Sequence, residues 1–159
     1  MFGSFLAVSF LKTAQLDRPY EFPVWSHRLV SEVCQGNRAA VARLLSRGNS
    51  ANRPARHLDG GLYNLLYLAS QFGHRDVVIL LLDHGALIDA RDDEGATALL
   101  IANQFNHLTV VRRLWDRRAS VNLSHLRGCT ALVVACEFGY LPMAQLLIER
   151  GAVVAAAAN

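Results

Sequence analysis

The sequence predicts an all-α solenoid of helix pairs joined by hairpin loops, with about four repeats behind an N-terminal extension. Three observations carry this. A phrase recurs three times at an offset of 33 residues, the period of a unit made of two short helices and a turn. Each copy places apolar residues at helical spacing. Each also puts glycine or asparagine where the chain must reverse. The copies read Leu66-Tyr67-Leu68-Ala69, Phe72-Gly73-His74, Gly85-Ala86; then Leu99-Leu100-Ile101-Ala102, Phe105-Asn106-His107, Arg118-Ala119; then Leu132-Val133-Val134-Ala135, Phe138-Gly139-Tyr140, Gly151-Ala152.

From the N-terminus, the apolar run 1–11 is too short to cross a bilayer as a helix. No basic stretch precedes it, which argues against a secretory signal. Phe2, Phe5, Leu6 and Ser9 fall at helical spacing, and Pro19 and Pro23 force an extended path between them. Residues 1–24 are therefore read as an arm or cap, since a terminal repeat needs cover. A docking arm inserted into a neighbour is the alternative. Residues 25–159 form the repeat domain, in units of about 25–57, 58–90, 91–123 and 124–156.

The first unit is the faintest. Leu29, Val33 and Cys34 belong to its first helix, and Val41, Leu44 and Leu45 to its second. Gly36 and Gly48 lie twelve apart, as do Gly73 and Gly85. The step from Gly36 to Gly73 is 37, so the loop Arg53–Gly61 absorbs four extra residues. In the other units the first helix follows an N-cap at Asn64, Thr97 or Thr130. It ends at Gly73, Asn106 or Gly139, positions suited to left-handed angles. The second helix shows an apolar face at Val77/Val78/Leu81/Leu82, Val110/Val111/Leu114/Trp115 and Met143/Ala144/Leu147/Ile148. Pro142 fits the first turn of the last one.

Composition narrows the function classes. Apolar residues are 52% and charged residues 18%, which indicates a compact chain and not a disordered one. A net charge of +3 is too mild to imply nucleic-acid binding by itself. Of the 16 cations all but Lys12 are arginine, which suits bidentate grip on carboxylate or phosphate and equally records nucleotide bias. Three cysteines without a C-x-x-C pair argue against a disulfide framework or zinc site and fit a reducing compartment, cytoplasmic or another. Ser4, Ser9, Lys12 and Arg18, with no acid before Asp17, leave a mitochondrial destination open. No metal or cofactor is expected. No catalytic serine, phosphate-loop or metalloprotease motif is present, so no enzymatic activity is expected either. Cys136 falls in a small slot read as core.

The phrase resembles that of the ankyrin repeat family, approximately G-x-T-P-L-H-x-A-A-x-x-G-H-x-x-V-V-x-L-L-L-x-x-G-A-x-x-N. The likeness is closest over Gly73–Ala86 and at Gly95-Ala96-Thr97-Ala98-Leu99 and Gly128-Cys129-Thr130-Ala131-Leu132, and it spans roughly 25–155. The resemblance implies a stack of helix pairs with projecting hairpins and a concave face that binds proteins. Tyr67, Leu100 and Val133 replace the family's hairpin-bracing His, so weaker bracing is expected. Arg118 replaces the helix-ending Gly, and Trp115 replaces a Leu and demands room.

Three candidate surfaces follow. The hairpin tips carry Arg53, Arg56 and His57, then Arg91, Asp92, Asp93 and Glu94, then His125 and Arg127. Arg112, Arg113, Arg117 and Arg118 gather around Trp115, where RNA phosphate, an acidic lipid or an acidic protein tail are the candidate ligands. Phe2, Phe5 and Leu6 of the arm are the third. Phe72, Phe105 and Phe138 recur as a ladder read as packing between units. The expected function is a non-enzymatic protein–protein interaction scaffold, an accessory or structural subunit docked in a larger complex. A free cytosolic adaptor or inhibitor, or an RNA-contacting module, are the alternatives.

Overall fold

A computed structural model describes residues 27–56, 61–125 and 128–153. Four helix pairs follow one another along it: α1 (Arg28–Cys34) with α2 (Arg38–Ser46), α3 (Leu65–Gln71) with α4 (Arg75–Asp83), α5 (Ala98–Gln104) with α6 (Leu108–Asp116), and α7 (Ala131–Glu137) with α8 (Leu141–Glu149). The enlarged first loop forms a hairpin of β1 (Pro54–Arg56) and β2 (Leu62–Asn64), antiparallel with Ala55 opposite Tyr63. The extra residues thus build strand pairing, a departure from an all-helical reading that stays local. The arm residues Phe2, Phe5 and Leu6, and the tip residues His57 and Arg127, lie outside the described residues.

Each first helix starts on a side-chain cap. Asn64 accepts from the Tyr67 N–H at 2.7 Å, Thr97 from Leu100 at 3.3 Å and Thr130 from Val133 at 3.5 Å. Each first helix ends in the same Schellman turn. In the second unit the Gly73 N–H donates to the Ser70 carbonyl and the His74 N–H to the Ala69 carbonyl; the other three units repeat the pair of bonds from Gly36, Asn106 and Gly139. The second helices close identically, with Gly48, Gly85, Arg118 and Gly151 in the left-handed position. Arg118 holds φ at 67° there. A side chain in that conformation costs about 1–2 kcal/mol, so Arg118→Gly is expected to raise unfolding free energy by about 1 kcal/mol, read from chemical denaturation.

The apolar faces merge into one core running through all four units, with Val33, Val41, Leu66, Val78, Leu81, Leu114, Leu132 and Leu147 essentially inaccessible. First helices pack on first helices, α3 on α5 and α5 on α7, and second on second, α2 to α4 and α4 to α6. The last step differs: α6 and α8 approach less closely than the earlier pairs do. Trp115, half-buried on α6, stands at that step. The room its ring demands is made by α8 standing off.

Cys136 corrects the sequence reading: it is exposed, not core. Its slot is Val33, Ser70 and Asn103 in the earlier units, all buried there because the next first helix covers them. Cys136 lies on α7, the last first helix among the described residues. Cys34 is the opposite case. Burial pushes its thiol up to about 12. At pH 8 iodoacetamide is expected to label Cys136 quickly and Cys34 only after denaturation, as peptide mass spectrometry would show. The raised thiol also has a linkage consequence. Its stabilising contribution is complete below about pH 9, the unfolded value, and is lost as pH rises from there toward 12.

Candidate functional site

Two ladders of polar contacts hold neighbouring units in register. On one, a ring from each unit reaches a main-chain carbonyl of the unit before it. His74 Nε2 lies 2.8 Å from the Cys34 carbonyl, His107 Nε2 3.0 Å from that of Gln71, and the Tyr140 hydroxyl donates to that of Gln104 at 3.4 Å. Each ring also stacks on the phenylalanine two residues earlier, with centroids 5.5 to 6.2 Å apart. Phe72, Phe105 and Phe138 therefore buttress the ladder and are half-buried, in keeping with the packing reading.

On the second ladder, a carboxamide or carboxylate clamps the following unit. Asn52 donates to the Gly85 carbonyl at 2.9 Å and accepts from the Leu87 N–H at 2.8 Å. Asn122 does the same with Gly151 and Val153, at 3.2 and 2.9 Å. Asp89 accepts from both the N–H and the hydroxyl of Ser120, at 2.9 and 2.6 Å. Sequence reasoning missed these three residues, although each stands four places after the helix-ending position. The final N of the repeat phrase was their signal.

The hairpin tips are thus carried on a fixed frame. Arg53 and Arg91 are exposed, while the backbone of Arg56 lies in β1. Asp92 is turned inward. Its carboxylate accepts from the Ala96 and Glu94 N–H groups at 2.7 and 3.0 Å, closing the turn. Burial raises its pKa above the ordinary carboxylate value, against the opposing effect of those two donors. Glu94 and His125, on adjacent tips, come within 3.3 Å of each other. Arg91 and Asp93 are the exposed charged groups of the second tip, while Asp92, Glu94 and His125 are partly buried. Asn64 also donates across to the Ala90 carbonyl at 3.4 Å.

The arginines near Trp115 divide in two. Arg117 turns away and pairs with Asp83 of the preceding unit at 2.6 Å. Arg118 sits at the exposed helix end. Arg112 and Arg113 instead line a groove of about 350 Å³ with Arg75, Thr109, Trp115, Asp116, Leu146 and Arg150. Arg150 lies over the indole, its guanidinium carbon 5.5 Å from the ring centroid. Arg75 and Arg150, from the flanking units, were not legible as members of this cluster, because only stacking brings them to α6.

Among the described residues no group of three or more His, Cys, Asp or Glu side chains could hold a metal ion, and no helix is long and apolar enough to cross a membrane. A family model described as Ankyrin repeats (3 copies) matches residues 29–125 and, in a second match, 66–157. No curated protein matches the chain. The chain belongs to the ankyrin repeat family, whose repeats generally mediate protein–protein interaction and are typically non-enzymatic.

Proposed function

We propose that the chain is a non-enzymatic protein-interaction scaffold built into a larger assembly as an accessory or structural subunit. The observation that carries this is the pair of cross-unit ladders, which fix the hairpins and inner helices before any partner arrives. A preorganised face loses little ordering entropy on binding. A further feature supports a docked subunit over a free adaptor. Leu141 is 77% and Ile148 57% exposed, two turns apart on α8, whereas the matching Leu108 and Trp115 of the third unit are half-buried. Large apolar residues exposed together on one helix face mark a contact surface. The thiols of Cys34 and Cys136 support placement in a reducing compartment.

The test is purification of the tagged full chain from its own cells by size. It should elute within a high-mass assembly, and a Leu141→Lys, Ile148→Lys variant with an unchanged circular dichroism spectrum should fall out of it. Elution of the unmodified chain wholly as a free monomer would overturn the subunit reading in favour of the adaptor.

A further inference from the structure

We propose that the groove between α6 and α8 is a second binding site, on the outer helices and away from the hairpin row, for an acidic peptide segment of a partner protein. The inference rests on reading the chain as an interaction scaffold, but concerns a surface that reading does not use.

The argument begins with charge. Four guanidinium groups, Arg75, Arg112, Arg113 and Arg150, converge on one groove from three successive units. Asp116 is the single acid in its lining. It is already shared with Arg113 at 3.4 Å, and Arg75 has only the 3.9 Å approach of Asp76. Arg112 and Arg150 make no ion pair among the described residues. The nearby Asp83 is taken by Arg117. Like charges held together repel, and an anion entering the groove relieves that repulsion. The chain has three more strong bases than acids, so it is poorly supplied to neutralise them itself.

The shape then selects among anions. Trp115 and Leu146 line the groove beside the guanidinium groups, so its wall is apolar as well as cationic. Its volume, about 350 Å³, matches a site for a few side chains. A nucleic-acid ligand at such a place would stack a base on the indole. That is obstructed here, because Arg150 already covers the ring. Guanidinium groups offer paired N–H donors that fit a carboxylate in a bidentate manner. The aliphatic parts of a glutamate-rich segment would lie against the Leu146 side of the groove while its carboxylates meet Arg112 and Arg150.

The experiment is calorimetric titration of the full chain at low salt with an octaglutamate peptide, with inorganic phosphate, and with an oligouridylate of similar length. Saturable binding of the peptide is expected, tighter than either other probe, and weakening as salt is raised. Arg112→Gln combined with Arg150→Gln should weaken it by about tenfold or more per removed guanidinium. Arg38→Gln with Arg43→Gln, an equal charge change on the exposed part of α2, should alter it by less than about twofold. Circular dichroism confirms that each variant is folded. Failure of the peptide to saturate, tighter binding of phosphate or oligouridylate, or an equal loss in the two double variants would each overturn the proposal. Such a failure, with incorporation into the assembly intact, leaves the scaffold reading standing; loss of incorporation in the Leu141/Ile148 variant tests that reading alone.

Discussion

Gly73→Ala is expected to destabilise the protein by about 2–4 kcal/mol, well beyond the same change at Gly139. Both residues sit in the left-handed region, with φ at 71° and 68°, so each substitution carries the roughly 1–2 kcal/mol cost of placing a Cβ there. Their surroundings differ. A Cβ on Gly73 would stand 2.7 Å from the His107 ring of the next unit, whereas at Gly139 nothing lies within 4 Å. The ring cannot retreat without giving up its contact with the Gln71 carbonyl, so an overpacking cost of about 1–3 kcal/mol is added at Gly73 alone. Urea denaturation of the two variants measures the difference. Removing the obstructing ring with His107→Ala in the Gly73→Ala background should make the pair of changes cost less than their sum. Equal losses at Gly73 and Gly139 would show that the close approach is not energetically important. The same logic accounts for the third step of the ladder. Asn106 already bears a Cβ at φ 57°, and there the following unit presents Tyr140, which reaches its carbonyl through a hydroxyl on a longer ring.

Leu114→Ala should cost about 2–5 kcal/mol, the range for truncating a fully buried leucine. Leu114 is 0% exposed on α6, in a unit that has neighbours on both sides. A stack of repeats is held by the stability of each unit plus its interfaces. A cavity at Leu114 weakens the third unit itself and loosens its contacts with the second and fourth. Two signatures are expected in guanidinium denaturation: a lower midpoint, and a broader transition as the fourth unit separates from the first two. Leu141→Ala on the exposed side of α8 serves as the control, with a change within about 0.5 kcal/mol. A Leu114 variant no less stable than that control would contradict the packing described here.

Much of the architecture was legible because it is local. The caps at Asn64, Thr97 and Thr130, the reversals at Gly73, Asn106 and Gly139, and the left-handed Arg118 each follow from residue type and spacing within one unit. The ladders were less legible, because they join residues 29 to 40 apart whose proximity exists only once units stack. His74 and His107 could be assigned a structural role from their shared slot, but not a carbonyl partner. Cys136 was misplaced for a related reason. Burial of its slot comes from a neighbouring first helix packed over it, which no copy within one repeat reveals. The arginine cluster failed in composition more than in location: proximity in sequence suggested Arg117 and Arg118, while stacking supplied Arg75 and Arg150. Trp115 stands in a leucine slot and lines the groove.

The stand-off of α8 from α6 also sets where the molecule yields. In mechanical terms the four units are joined by three couplings in series, and deformation under load concentrates in the softest. At the first two couplings both inner and outer helices pack on their counterparts, while at the third the outer helices meet less extensively. The α5–α7 contact, Asn122 and Tyr140 therefore carry more of the connection to the fourth unit. Any ligand that spans α6 and α8 would act as a brace across that joint, fixing the curvature of the whole stack from its outer side.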